Sequence, residues 1–406
     1  MLNTTRFRGT IETLLMILAW DISAQAQSAP KLNRPLTNRS GGQVERAWSL
    51  VGPGHRAGAV AFDADGSHLF VGYEDGSIHQ YDAKYGRSLG PFLKDAHAPI
   101  RAIAYTQVGS PLAYAAPDAE PGAAPAGPGM AAGDRVTLIY PNGDIRARLS
   151  RMPGQIITLA YASDGRTIGA IDHLYNIRVW SVPDGSEVLS SAVHRANANR
   201  PVAVETRASF SADLKRAVIA DEAQGQARPD SWDHLIRLWE ADDKEPRFHG
   251  WRGGQKITSA VISPDGSRYA TGQDDYWLTV YDFKTKKSIS GSSAVFTSNM
   301  AMLPMIPKAA YLPTFLQFSP GNDFLISDSR SWSVRVNKLN VKVGSVVQEL
   351  SSPDGRIEPT RAAAFVPKGI RFASGGWEPL EDQKIDGTDL PRFQPMIVWE
   401  VEVEGL

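Results

Sequence analysis

Three short runs of alternating apolar and polar residues occupy the stretch 256–282, which reads KITSAVISPDGSRYATGQDDYWLTVYD. The runs cover 257–262, 267–271 and 277–281, and turn-forming residues separate them. A hydrophobic period of two residues, broken by Pro, Asp and Gly, predicts antiparallel strands joined by hairpins. Because three strands alone bury too little apolar surface to be stable, this unit needs further copies of itself to pack against.

The same unit recurs along the chain. An apolar residue before the first turn and an aromatic residue at the end of the third strand lie 19 residues apart in three units, and Asn replaces the aromatic in a fourth. Insertions stretch three further units, so we count seven. The paired positions are Phe62–Tyr81, Tyr105–Tyr140, Tyr161–Trp180, Phe210–Trp239, Ile262–Tyr281, Phe318–Asn337 and Phe365–Trp399. Such repeats of short strands predict an all-β propeller.

The units resemble WD40 repeats over roughly residues 45 to 404. Gly54-His55 and Ala96-His97 stand at unit starts, and the unit ends read Tyr81-Asp82, Val179-Trp180-Ser181, Leu238-Trp239-Glu240, Tyr281-Asp282 and Val398-Trp399-Glu400. No unit ends in Trp-Asp, so the repeats are degenerate. The resemblance implies one seven-bladed β-propeller of four-stranded antiparallel blades. It also implies ring closure by an N-terminal strand, for which the segment around Trp48 is suited.

The resemblance further implies a buried polar network that fixes blade geometry. In the first unit its members are His55, Asp75 and Tyr81, and the corresponding aromatics elsewhere are Trp180, Trp239, Tyr281 and Trp399. Turn carboxylates occupy the place of Asp75 in later units, namely Asp172, Asp233, Asp275 and Asp328. We interpret all of these residues as structural, because unpaired buried polar groups are costly.

Composition excludes several kinds of site. The 406 residues include 43 basic and 44 acidic ones, a formal net charge of −1, so overall charge gives no reason to expect nucleic acid as a partner. The chain has no cysteine, which excludes disulfides, thiolate metal sites and a cysteine nucleophile.

Motifs for catalysis or metal binding are missing from the sequence. The eight histidines form no metal-ligand spacing, and no nucleophile elbow, P-loop or dinucleotide fingerprint occurs. We interpret His249 and His194 as solvent-exposed starts of units, and Ser290-Gly291-Ser292-Ser293 as a turn. The sequence therefore predicts a protein that is not an enzyme and holds no metal or cofactor.

The N-terminus has the pattern of a secretory signal. Arg6 and Arg8 precede an apolar run at 14–20, and the small-x-small triplet Ala24-Gln25-Ala26 follows. The run is too short to span a bilayer. Acidic residues beside it leave open a leader on a cytosolic protein; otherwise the chain is exported, and N-terminal sequencing distinguishes the two. The predicted division is a signal peptide at 1–26, a flexible linker at 27–44 and the propeller at 45–406.

Four insertions are the informative departures from the repeat. Those at 117–133, 222–232 and 376–393 fall between second and third strands, and the one at 294–313 joins two units. In a meandering blade both kinds of connection open on the same face, and loops on a rigid scaffold often carry binding. Simple loop drift is the alternative for 117–133. For 294–313 the alternative is an outer strand of the fifth unit followed by a packed loop.

These observations predict a non-enzymatic platform that binds another protein through its insertion-bearing face. The expected contacts, chosen because aromatic, Met and Arg side chains dominate binding hot spots, are Trp251, Met302, Met305, Trp377 and Arg392. We expect no nucleic-acid partner, no stable membrane span and a monomeric propeller within a complex. The alternative is a secreted propeller enzyme or small-ligand binder that uses the central channel.

Overall fold

The computed structural model describes strands and turns in the ranges 37–38, 44–50, 56–94, 96–106, 110–118, 133–192, 207–221, 234–243, 247–251, 257–273, 277–293, 315–329, 333–339, 345–351, 360–366, 369–374 and 396–402. The proposed signal peptide at 1–26 and the bodies of the four insertions lie outside them. Within these ranges no helix is long and apolar enough to cross a membrane.

Two N-terminal strands, β1 (Thr37–Asn38) and β2 (Val44–Leu50), belong to sheets whose other strands come from the C-terminal part of the chain. Five four-stranded antiparallel sheets follow, each with its strands side by side in chain order. Their strands are β3 (Ala57–Phe62), β4 (His68–Tyr73), β5 (Ile78–Asp82) and β6 (Ser88–Leu93); β7 (Ala102–Ala104), β8 (Leu112–Pro117), β9 (Asp134–Ile139) and β10 (Ile145–Arg148); β11 (Ile156–Tyr161), β12 (Thr167–Asp172), β13 (Asn176–Ser181) and β14 (Glu187–Ala192); β15 (Arg207–Phe210), β16 (Arg216–Asp221), β17 (His234–Glu240) and β18 (Arg247–Trp251); β19 (Ile257–Ile262), β20 (Arg268–Gln273), β21 (Trp277–Asp282) and β22 (Ser288–Ser293).

The sixth and seventh sheets incorporate the N-terminal strands. The sixth contains β23 (Leu316–Phe318), β24 (Phe324–Ser329), β25 (Ser333–Lys338) and β26 (Ser345–Ser351), and β1 pairs antiparallel with the outer strand β26. The seventh contains β27 (Thr360–Val366), β28 (Gly369–Ser374) and β29 (Met396–Glu402), and β2 pairs antiparallel with β29. Six sheets therefore have four strands. The expectation of four strands in every blade is wrong for the remaining sheet, because Thr37 and Asn38 occupy its outer edge. These two residues also lie within the stretch interpreted as a flexible linker.

Hydrophobic clusters hold neighbouring sheets together. They pair the seventh sheet with the first (Val398, Leu69), the first with the second (Phe70, Ile103), the second with the third (Leu138, Ile168), the third with the fourth (Ile177, Ala217), the fourth with the fifth (Val218, Tyr269) and the fifth with the sixth (Val280, Leu325). Burying one large apolar side chain contributes about 1.5 to 3 kcal/mol, so each cluster fixes two sheets face to face. The predicted all-β propeller of antiparallel blades is confirmed, and six of its sheets have the four strands that we expected.

Turns between first and second strands also link neighbouring sheets. The amide of Ala64 donates to the carbonyl of Thr106, that of Ser163 to Ala212, and that of Ala212 to Pro264. These turns need a residue in the left-handed region, which Gly66 supplies with φ 69° and Gly266 with φ 70°. The Asp-Gly pairs noticed in the sequence thus form both the hairpins and part of the contacts between sheets.

The register explains the spacing of 19 residues. In the third sheet, Tyr161 lies opposite Ile168, which lies opposite Trp180, so the two repeated positions share one row across the strands. The seventh sheet departs from this pattern, because Phe365 lies in a row with Ile370 and Val401 rather than with Trp399.

One smaller interpretation is wrong. Residues 290–293, which we interpreted as a turn, belong to β22, the outer strand of the fifth sheet. This strand ends before 294, so the outer strand is not formed by the insertion at 294–313.

Candidate functional site

The four long insertions leave the sheets on one side of the propeller. They join β8 to β9, β16 to β17, β22 to β23 and β28 to β29. Each connection thus runs from a second to a third strand or from one sheet to the next, as predicted. Because adjacent strands are antiparallel, both kinds of connection open on the same side. We call the side that carries 117–133, 222–232, 294–313 and 376–393 the insertion face.

The opposite side consists of the turns between first and second strands and between third and fourth strands. In the first sheet these are residues 63–67 and 83–87. We call this side the turn face. Its described connections are short, so the two faces differ in the length of chain that they display.

The predicted partner contacts fall largely outside the described residues. Met302, Met305, Trp377 and Arg392 lie in the insertions, which the structure does not describe. Trp251 is the last residue of β18, where the fourth sheet reaches the insertion face, and its side chain is likewise not described. These five contacts therefore stay predictions.

An ion pair closes the root of the insertion in the second sheet. Arg135 Nη2 lies 2.6 Å from Asp118 Oδ2, and Arg135 Nη1 donates to the carbonyl of Leu149 at 3.2 Å. The hydrogen bond from Arg135 is the main reason that the pKa of Asp118 is lowered, and the charges of Arg151 and Arg148 lower it further. The two ends of this insertion are thus fixed to each other at the sheet.

Asp134 is a fully buried carboxylate beside this ion pair. Its Oδ2 accepts a hydrogen bond from the amide of Ile156 at 2.7 Å, and its Oδ1 lies 3.3 Å from Nη1 of Arg101. Burial is the main cause that raises the pKa of Asp134 to about 6, and the neighbouring carboxylate of Asp172 acts in the same direction. The charges of Arg101 and Arg151 oppose this rise.

Asp172 fastens the connection between the second and third sheets. Its carboxylate accepts hydrogen bonds from the amides of Gly154, Leu174 and Asn176 at 2.8 to 2.9 Å, and from the Asn176 side chain at 2.7 Å. In the sixth sheet, Asp328 accepts a hydrogen bond from the amide of Phe315 at 2.7 Å. Both carboxylates hold backbone on the insertion face in place. Among the described residues, no group of three or more acidic or histidine side chains could hold a metal ion.

Comparison with known families adds an independent match at the first sheet. Residues 48–82 match the family model of the WD domain, G-beta repeat. The chain carries a WD40 repeat. This match covers the last part of β2 and the strands β3 to β5, which include the first unit recognised in the sequence. No curated protein matches the chain.

Asp75 and Tyr81, the described members of the predicted polar network, each have a partner within the first sheet. Asp75 accepts hydrogen bonds from the amide and the hydroxyl of Ser77 at 2.9 and 2.7 Å. The hydroxyl groups of Tyr81 and Tyr73 lie 3.0 Å apart, and burial raises the pKa of both. His55 lies outside the described residues, so the three-membered network stays a prediction.

The closing aromatics of later units contact the fourth strand of the preceding sheet or the residues just after it. Trp180 Nε1 donates to the hydroxyl of Ser150 at 2.7 Å, and Trp239 Nε1 donates to that of Ser191 at 3.3 Å. Tyr281 packs edge-to-face on the ring of His249 at 4.9 Å. Trp399 stacks instead on Phe372 within its own sheet at 6.3 Å. A side chain at the repeated position thus helps to join one sheet to the next in three units.

His249 does not have the exposed position that we expected. It lies on β18, partly buried, with Nδ1 hydrogen-bonded to the hydroxyl of Tyr269. Burial lowers the pKa of His249 to about 4, and the charge of Lys286 acts in the same direction. The interpretation was wrong because β18 continues through this residue, and the side chain of His249 packs against Tyr269 of the fifth sheet.

Arg101 and Asp134 were missed in the sequence. Arg101 directly precedes β7 and Asp134 begins β9, so the insertion separates them in the chain and their spacing gives no motif. The available signal was the position of Asp134 directly at the start of the third strand, close to where Asp75 and Asp172 stand in their own units. The stretched unit concealed this correspondence.

Proposed function

We propose that the chain is a non-enzymatic platform that binds a partner protein through its insertion face. The observation that carries the proposal is the placement of all four insertions on connections that open on one side. Resemblance to WD40 proteins supports it, because propellers of this family commonly serve as platforms for protein interactions.

The fixed root of the insertion at 117–133 supports this proposal. The ion pair of Asp118 with Arg135 and the hydrogen bonds of Asp134 and Asp172 hold the connections at the edge of the second and third sheets. Side chains displayed from fixed points lose less conformational freedom on binding than those on a free chain. Side chains near such a fixed root can therefore contribute to binding a partner at a smaller entropic cost.

A double substitution in the insertion at 294–313 tests the proposal. Met302→Ser with Met305→Ser removes apolar, adaptable contact surface, and we expect partner capture from host extract to fall about tenfold or more, since hot-spot truncations cost about 2 kcal/mol each. The melting temperature should stay within about 1 °C of wild type. Capture is quantified by mass spectrometry of proteins retained on the immobilised variant.

The matched control changes two exposed residues on the turn face, Lys84→Ala with Tyr85→Ala, and should leave capture unchanged. Unfolding of the methionine variant at lower temperature would place the methionines in the core and remove them from the binding surface. Capture that the control lowers and the methionine variant preserves would contradict the use of the insertion face.

We also propose that the seven sheets form one ring that the N-terminal segment closes. Pairing of β2 with β29 supplies the outer strand of the last sheet, and the hydrophobic cluster of Val398 with Leu69 packs that sheet on the first. Pairing of β1 with β26 attaches the same segment to the sixth sheet. Two attachments on adjacent sheets would resist opening between them and would cover edges that an open array exposes.

A further inference from the structure

An excess of arginine surrounds the root of the insertion in the second sheet. Arg148 ends the outer strand β10, and Arg151 follows three residues later. Both side chains are exposed, and neither makes a hydrogen bond or an ion pair within the part of the chain that the structure describes. Their charges nevertheless reach Asp118, because both contribute to lowering its pKa.

Two further arginines, Arg135 and Arg101, lie near Arg148 and Arg151. Arg135 pairs with Asp118 at 2.6 Å, and Arg101 lies 3.3 Å from Asp134. Four guanidinium groups therefore stand near three carboxylates, those of Asp118, Asp134 and Asp172. The ion pair of Arg178 with Glu187 beside Ser150 adds one charge of each sign. The nearly neutral charge of the whole chain conceals this local surplus of positive charge, which lies where the second sheet meets the insertion face.

The fourth sheet shows how arginines are neutralised elsewhere in the described chain. Arg216 pairs with Glu240 at 2.7 Å, and Arg247 pairs with Glu240 at 3.2 Å and Asp243 at 3.4 Å. Each of these arginines has a carboxylate within ion-pair distance and stabilises the sheet. Among the described residues, Arg148 and Arg151 have no carboxylate within ion-pair distance, so their charge remains available to an external anion.

We propose that Arg148 and Arg151, supported by Arg135, bind the carboxylates of an acidic segment of the partner protein. The proposal rests on the proposed function and names the chemistry of one contact on the insertion face. Guanidinium groups bind carboxylates through paired charge-assisted hydrogen bonds, which are stronger than neutral ones. Arg148 ends the edge strand β10 and Arg151 lies three residues beyond it, so the two guanidinium groups come from separate positions of the chain. A row of separate carboxylates therefore fits better than one compact anion.

Binding of an acidic peptide tests this inference. The probe is a fluorescein-labelled octaglutamate peptide, and its fluorescence anisotropy is measured with the full chain in about 50 mM salt, where exposed charges are only partly screened. We expect wild type to bind the probe, and Arg148→Gln with Arg151→Gln to weaken binding about tenfold or more, since two charge-assisted hydrogen-bonded contacts are lost.

The control removes the same charge from the turn face. Lys84 and Arg87 are exposed there, so Lys84→Gln with Arg87→Gln changes the net charge equally and should leave the affinity within about twofold. Equal weakening by both variants, or no weakening by the arginine variant, would overturn the inference. A phosphoserine peptide of equal length that binds much more tightly than octaglutamate would overturn the choice of carboxylates.

The same variants separate this inference from the proposed function. If Met302→Ser with Met305→Ser abolishes partner capture while Arg148→Gln with Arg151→Gln leaves it intact, the insertion face binds a partner without an acidic contact. If neither double variant affects capture, the proposed function fails together with this inference.

Discussion

Two buried titratable side chains have opposite pKa shifts and therefore opposite effects on stability. Asp134 has its pKa raised from 3.8 to about 6, so its contribution to stability is fully present below pH 3.8 and is lost as the pH rises through about 6. His249 has its pKa lowered from 6.5 to about 4, so its contribution is present above pH 6.5 and is lost as the pH falls towards 4. Between pH 4 and 6.5 the two effects partly cancel in the wild type.

Comparing each variant with wild type should therefore isolate the contribution of the residue that was replaced. For Asp134→Asn, we expect the melting temperature relative to wild type to increase from pH 4 to pH 7, because the variant has no buried carboxyl to ionise. For His249→Gln, the relative melting temperature should be higher at pH 5 than at pH 7.5. The measurement is thermal unfolding at constant ionic strength across this range.

A difference from wild type that stays constant with pH would contradict the pKa shift of the residue concerned. The part of the difference in melting temperature that does not change with pH measures the packing and hydrogen bonds lost in the variant. The amide of Ile156 can still be paired by the Asn that replaces Asp134, whereas Arg101 loses its charged partner.

The N-terminal strands β1 and β2 pair with strands from the C-terminal part of the chain, in the sixth and seventh sheets. We expect deletion of residues 45–51 to lower the free energy of unfolding by about 3 to 5 kcal/mol, since about five backbone hydrogen bonds to β29 are lost at about 1 kcal/mol each. Deletion of residues 37–38 should cost less, because only two residues pair with β26. Denaturant unfolding measures both.

A deletion of seven residues at 27–33, upstream of both strands, serves as the matched control and should leave the unfolding curve unchanged. If the variant without 45–51 unfolds like the full chain, the N-terminal segment does not close the ring. If loss of 37–38 has no effect while loss of 45–51 does, the attachment to the sixth sheet is dispensable.

Among the strands, the sequence predicted those that follow the repeat and did not predict those that depart from it. Period-two runs with Asp-Gly turns fixed the strand hairpins, because turn chemistry and alternation are local. The added strand of Thr37 and Asn38 depends on pairing with residues more than 300 positions away, so no local pattern announces it. The row of Phe365 with Ile370 and Val401 likewise depends on strand register, which the spacing of aromatics does not show.

Site residues were predictable only where the repeat exposes them. Tyr81 and Asp75 occupy repeated positions, and the insertions are departures from the same repeat. Asp134 and Arg101 come together only when β8 pairs with both β7 and β9, which is a tertiary event. The surplus charge of Arg148 and Arg151 was concealed because whole-chain charge sums over all patches.

At the scale of the whole molecule, the contacts that stabilise the propeller are separate from the face that we propose binds a partner. Hydrophobic clusters and turns hold the sheets together, and the turn face consists of short connections. The insertion face carries the long connections, and the ion pair of Asp118 with Arg135 fixes the root of the one at 117–133. Insertions at loop positions cost little stability, so binding surface can be added there without disturbing the sheets.

The central claim is that the insertion face binds the partner, and amide hydrogen exchange with and without the captured partner tests it most directly. The account predicts slower exchange at the roots of the connections, residues 133–135 and 151–156, because a bound partner restricts local opening there. Exchange at the turn face, residues 63–67 and 83–87, should not change. Protection confined to the turn face, with none at the roots, would contradict the account.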